Sequence, residues 1–186
     1  MTARIICLII LALEARGLYI SISDRRWKIF AFYTQLSNLM TVISAICVLI
    51  FGAQTWTILL RYLSSCMLVM TFIVTTRVLV PMGGDPKMLL LSGNGFYHHL
   101  VIPIVSVGSY ILIEKHVVTA MMILIPTVLT FVYGLIMLYL NYRDLFDGPY
   151  PFFRVKNQSV KATVLWMSVL TAAISAISFV VFLMGR

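Results

Sequence analysis

Two groups of residues in this sequence have the types and spacing for chemistry. The first is the run Tyr33-Thr34-Gln35-Leu36-Ser37-Asn38, in which Thr34, Ser37 and Asn38 recur at helical spacing and share one face. The second is Asn94-Gly95-Phe96-Tyr97-His98-His99. A neutral imidazole within reach of a hydroxyl can take its proton, so Thr34 with His98 or His99 is a candidate nucleophile and base. Ser37, Asn38 and Asn94 would then supply polar contacts to a substrate, with Asn38 able to hold an oxyanion. The plainer role of such residues on a spanning helix is to bond their own backbone or to join helices. Adjacent helical residues point about 100° apart, so at most one of the two histidines faces Thr34. No thiolate or carboxylate neighbours them in sequence, so no metal or other cofactor is expected.

These groups sit in an unusually apolar chain. Of 186 residues, 61% are hydrophobic and 11% are charged, and mean hydropathy is +1.02. A soluble domain carries about 25% charged residues, so a water-facing surface cannot be assembled here. That excludes an ordinary soluble enzyme, a disordered chain and a fibrous repeat, and leaves a multi-pass membrane protein. The net charge of +8 would suggest nucleic acid in a soluble protein. In a membrane protein it reflects loops meeting anionic headgroups, so membrane lipids are the expected partners and nucleic acid is not. Cys7, Cys47 and Cys66 lie in apolar runs without paired spacing and read as small buried hydrophobes.

Stretches without Asp, Glu, Lys or Arg cover 29–60, 88–113, 116–142 and 162–185, each longer than the ~18 residues that mark a spanning helix. Two further spans carry charges: 57–80, with Arg61 and Arg77 near its ends, where long side chains can snorkel to the interface, and 5–23, interrupted by Glu14 and Arg16. The expected architecture is all-α: one domain over 1–186, a bundle of six transmembrane helices near 5–23, 29–51, 57–80, 96–113, 117–141 and 160–184. Thr34 would then lie roughly 6 to 8 Å inside its helix, at a depth comparable with the histidines.

The longer loops, 81–95 and 142–159, are dense in Gly and Pro and fall on the same membrane face as the loop after the first span. Arg25, Arg26, Lys28, Arg77, Lys87, Arg143, Arg154, Lys156 and Lys161 gather on or near that face, against Arg4, Arg61, Lys115 and Arg186 opposite. The positive-inside rule makes the richer face cytoplasmic. Glu14 and Arg16 do not share a helix face, so Glu14 should meet Arg77 or a histidine on another helix. A packing pair is the plain reading of that contact, and a proton relay the sharper one. Small residues Ala172 and Ala176, with Ser168 or Ser175, suggest close helix packing in the last span.

The runs Phe32-Tyr33-Thr34-Gln35-Leu36-Ser37-Asn38, Tyr97-His98-His99-Leu100-Val101-Ile102-Pro103 and Asp147-Gly148-Pro149-Tyr150-Pro151-Phe152-Phe153-Arg154 resemble a group of small six-span integral membrane proteins of Gram-positive bacteria. The same landmarks are distantly similar to the androgen-induced protein family, six-span threonine hydrolases that cleave fatty acid esters of hydroxy fatty acids. That resemblance implies Thr34 as nucleophile and, through the spacing Asn94, His98, Pro103, His98 rather than His99 as its partner. Tyr150-Pro151-Phe152 matches the family's Tyr-Pro-Phe loop. The sequence departs from the family where an acid should follow the proline: Gly108 and Ser109 stand there, so an acid orienting the histidine would have to be Glu14 or Asp147.

The functions expected are therefore a Thr/His-dependent lipid-ester hydrolase in the bacterial plasma membrane, with Arg77 and Tyr150 helping to hold the substrate. The alternatives are a small-solute or proton-coupled transporter using Glu14, Arg77 and the histidines, or a non-catalytic lipid-binding scaffold.

Overall fold

The computed structural model describes residues 2–114, 118–147 and 150–186, and the side chains of 24–28 are outside that description. Lys115, His116, Gly148 and Pro149, and the side chains of Arg25, Arg26 and Lys28 on which part of the charge balance rests, therefore lie outside the described residues. Six helices are long and apolar enough to cross a membrane: α1 Thr2–Ser23, α2 Tyr33–Phe51, α3 Thr55–Leu79, α4 Gly93–Glu114, α5 Ala120–Tyr142 and α6 Val160–Met184. No strand occurs among the described residues. The chain is thus an all-α bundle of the multi-pass type.

The second span starts later than its composition suggests. Residues Arg26–Ala31 form a tight 3-10 turn and Phe32 is extended, so α2 begins at Tyr33 and Thr34 stands in its first turn. Helix α4 begins at Gly93, which puts His98 about 7 Å into its own helix. The two candidate groups do not start from equal depth along their helices.

Helix α3 is the hub. Of its spanning window 61% is buried, against 17% for α5, which places α3 at the centre and α5 at the rim. On one side α3 packs against α2 and α4, which also hold α1; on the other it packs against α6 and α5. Helices α2 and α3 meet through the turn at Gly52, whose φ of 71° favours glycine. The backbone N–H of Gln54 there donates to Thr57 Oγ1 at 2.8 Å, capping α3.

Polarity is arranged inside out. Ser44, Ser64, Thr41 and Thr71 are buried while Ile50, Leu112, Leu124 and Val164 are exposed, as expected where the surroundings are lipid. Ser44 meets Ser64 at 3.3 Å and Ser37 meets Thr71 at 3.0 Å, joining α2 to α3. In α6 the buried stripe is Leu170, Ile174, Ile177, Ser178 and Val181. Ser168, Ala172 and Ala176 face outward, while half-buried Ser175 meets Thr127 of α5 at 3.2 Å, so of the expected small residues Ser175 packs against a neighbour.

Arg61 corrects another expectation. It does not snorkel: it is fully buried, and its Nη2 donates to Glu114 Oε1 at 2.6 Å while Nη1 donates to Ser106 Oγ at 2.9 Å. Ser109 Oγ donates to the same carboxylate at 2.9 Å. A buried guanidinium is tolerable when its donors are used this fully, and the pair locks the end of α4 to the start of α3.

Candidate functional site

The direction of His98 follows from a proline. Pro103 has no N–H and its ring crowds the carbonyl four residues earlier, so the helix widens before it. Residues Phe96–Val101 form a π-helical turn in which the Ile102 N–H reaches back to Tyr97 O. Within that turn His98 is fully buried and points between α1 and α2. His99 turns away, its Nδ1–H donating to Leu89 O at 2.7 Å and tying the 87–91 turn to α4. The two histidines therefore separate, as helical geometry requires.

What His98 meets comes from α1 and α2. Cys7, Ile10, Glu14, Gly17 and Ser21 are all buried at alternating three- and four-residue spacing, one continuous seam along α1. Gly17 is required in that seam, since a Cβ there would lie 2.4 Å from His98 Nε2. Glu14 Oε2 lies 3.7 Å from that same nitrogen, both side chains fully buried. On the other edge of the ring, Gln35 Nε2 donates to Nδ1 at 3.1 Å and Ser21 Oγ lies 3.5 Å away. Ser21 Oγ in turn accepts from Gln35 Nε2 at 3.3 Å and from Asn94 Nδ2 at 2.9 Å. Since Gln35 donates to Nδ1, the ring proton is assigned to Nε2, facing Glu14. Glu14 thus stands where the sequence lacked an acid beside the histidine; Asp147 instead pairs with Arg154 at 3.2 Å.

Thr34 looks the other way. It lines a mainly apolar cavity together with Tyr33, Thr71, Thr130, Tyr150 and Phe153. The Thr34 N–H, one of the donors a helix start leaves free, points to Tyr150 Oη at 3.4 Å. Tyr150 is buried, and burial pushes its phenol above the ordinary range while hydrogen bonds from the Thr34 side chain and backbone work against that. Its ring stacks on Phe152 at 5.2 Å, so the Tyr150–Phe153 turn forms an aromatic wall of the cavity. Tyr33 Oη and Thr130 Oγ1, 2.8 Å apart, close another side.

Of the candidate substrate contacts, Ser37 Oγ and Asn38 Nδ2 both donate to Thr34 O, at 2.8 and 2.7 Å, the backbone role common for such residues. Asn94 belongs to the histidine cluster and Tyr150 to the cavity. Arg77 is exposed on α3, with its side chain outside the bundle. None of Glu14, Ser21, Gln35, Asn94 and His98 lines the Thr34 cavity. No hydrogen bond joins Thr34 to His98 among the described residues. Gln35 and Ser21 escaped the reading of the sequence; the signal was the three-four seam of α1, which places Ser21 on the face of Glu14.

The architecture and these two polar features define a polytopic helical membrane protein with an apolar cavity at one end and a sealed polar cluster beside it. No known family model, curated protein or solved structure matches the chain.

Proposed function

We propose that the protein is an integral membrane lipid binder of the bacterial plasma membrane, whose Thr34 cavity takes an acyl chain from the cytoplasmic leaflet. The observation that carries this reading is the lining of the cavity: walls of Met70, Val74, Leu79, Phe152, Phe153 and Leu170, with hydroxyls at Thr34, Thr71 and Tyr150. A few fixed hydroxyls among apolar walls suit one polar end of a chain-like ligand. Arg154, next in the chain to Phe153, has a side chain 41% exposed and would meet a headgroup or carboxylate. The test is native mass spectrometry of the purified protein with fatty acids and phospholipids, comparing wild type with Gly134→Phe. The Gly134 position faces Met167 and Phe153, so an aromatic side chain there fills the cavity; retained lipid adducts in a folded Gly134→Phe would refute the reading.

Ester hydrolysis is the second reading, favoured by the Thr34 hydroxyl in that cavity and by Glu14 beside His98. It needs His98 to reach Thr34 across α2, which would take the imidazole away from Gln35 and Ser21. A fluorophosphonate that labels wild type but neither Thr34→Ala nor His98→Ala would support it; labelling that survives Thr34→Ala would remove it.

A further inference from the structure

The cluster between α1, α2 and α4 has a direction. We propose that Glu14 and His98 form a buried proton-binding site that exchanges with the membrane face of the 81–95 loop through Ser21. This rests on the cluster's own geometry and is independent of what fills the Thr34 cavity.

Ser21 Oγ accepts from two amides, Asn94 and Gln35, so its own hydrogen is left to donate, and the atom it faces is His98 Nδ1 at 3.5 Å. On the far edge of the ring, Nε2 faces Glu14 Oε2 at 3.7 Å, just longer than a hydrogen bond. The order is hydroxyl, imidazole, carboxyl, from the end of α1 toward its middle. Ser21 lies four residues from the end of its helix, which runs to Arg25, and Glu14 eleven, or about 16 Å in along a 1.5 Å rise. Asn94, half-buried beside exposed Gly93, is what separates Ser21 from the loop face. The Glu14 oxygens, His98 Nε2 and Gln35 Oε1 have no hydrogen-bond partner among the described residues. Four acceptor or donor positions on three buried side chains around one ring are costly in a purely structural contact and are what a shared, mobile proton needs.

Uptake balances as follows. Ser21 gives its hydroxyl proton to His98 Nδ1 and is reprotonated from the face beside Asn94. The ring releases its Nε2 proton to a Glu14 oxygen, becoming the Nδ1–H tautomer. Gln35 then rotates its amide so that Oε1 accepts from Nδ1–H, the role that oxygen lacks in the arrangement present. Release runs the same steps backward. The net change is one proton on Glu14 and a switched ring tautomer.

The surroundings leave this pair as the titrating unit. Helix α2 contributes the amide of Gln35. Helix α4 contributes His99, bound to Leu89 O, and Tyr97, whose Cβ is 3.2 Å from where a Gly17 Cβ would be. Arg16 on α1 is exposed. Arg61 and Glu114 stand near Cys7, about 10 Å further along α1.

Infrared spectroscopy of the full chain in lipid vesicles tests the proposal. The sequence has only two glutamates, Glu14 and Glu114, so 13C-glutamate labelling compared between wild type and Glu14→Gln isolates the Glu14 signal. The expected result is a 13C-shifted protonated-carboxyl band that grows on acidification, moves in heavy water, and vanishes in Glu14→Gln. Ser21→Ala should keep the band and slow its hydrogen–deuterium exchange by about tenfold or more, the effect of raising a barrier by ~1.4 kcal/mol. A wild-type glutamate signal unchanged across pH would overturn the proposal. So would a band that exchanges equally fast in Ser21→Ala.

Discussion

Thr34 and Gln35 follow one another on α2 and face different compartments: Thr34 lines the apolar cavity with Tyr150, and Gln35 donates to His98 Nδ1 at 3.1 Å in the polar cluster. One residue step, about 100° around α2, therefore separates the apolar cavity from the polar cluster. The consequences can be measured position by position.

Gly17 is the tightest approach in the cluster, with the place of a Cβ 2.4 Å from His98 Nε2. Gly17→Val should displace the imidazole and lower stability by about 1–3 kcal/mol, the usual range for forced overpacking. Gly108→Ala is the control, because nothing lies within 4 Å of its Cβ position. It should be neutral or stabilise by up to about 1 kcal/mol through helix propensity. Thermal unfolding of both variants in one detergent checks the pair; equal losses would contradict the packing described.

Glu114 neutralises a guanidinium with no exposure. Glu114→Ala strands that charge and should cost about 3–5 kcal/mol. The double change Arg61→Met with Glu114→Leu should recover most of the loss, because two apolar side chains remove the buried charges together. A melting series of wild type, single and double variants reads this directly, and a double variant no better than Glu114→Ala would count against it.

Tyr150→Phe removes the hydroxyl that meets the Thr34 N–H and should cost about 0.5–1.5 kcal/mol. It should also change the alkaline limb. Burial holds the Tyr150 phenol above its ordinary value of 10.0, so the unfolded chain loses this proton first. Stability is then full below that value and falls as pH rises above it, because the folded state binds the extra proton. In Tyr150→Phe the fall should be shallower; identical slopes would show that the phenol ionises as easily folded as unfolded.

Much of the fold was legible because it follows from hydropathy: charge-free stretches longer than a bilayer needs mark helices regardless of how they pack. The start of α2 was not, because 29–32, the end of the 3-10 turn and extended Phe32, belong to the charge-free stretch 29–60, where composition does not distinguish them from helix. Arg61 was misplaced for a related reason. Its position near a helix end permits snorkelling, and only the arrival of Glu114 and Ser106 from α4 decides otherwise. At the site, Tyr150 lies beside Thr34 and the two histidines diverge, but His98 meets Glu14, Ser21 and Gln35 and not Thr34. The partner of His98 depended on which face of α2 turns to α4, and consecutive residues Thr34 and Gln35 point about 100° apart. Periodicity shows that a polar face exists; it does not say which neighbour covers it.

The most direct measurement is photo-crosslinking of the purified, vesicle-reconstituted protein with a diazirine fatty acid, followed by peptide mapping. The account predicts adducts concentrated on the cavity wall, around Met70, Leu79 and Phe153, and reduced at least about tenfold by Gly134→Phe, equivalent to ~1.4 kcal/mol of binding. Adducts spread over the exposed faces of α5 and α6, with the same yield in Gly134→Phe, would contradict it.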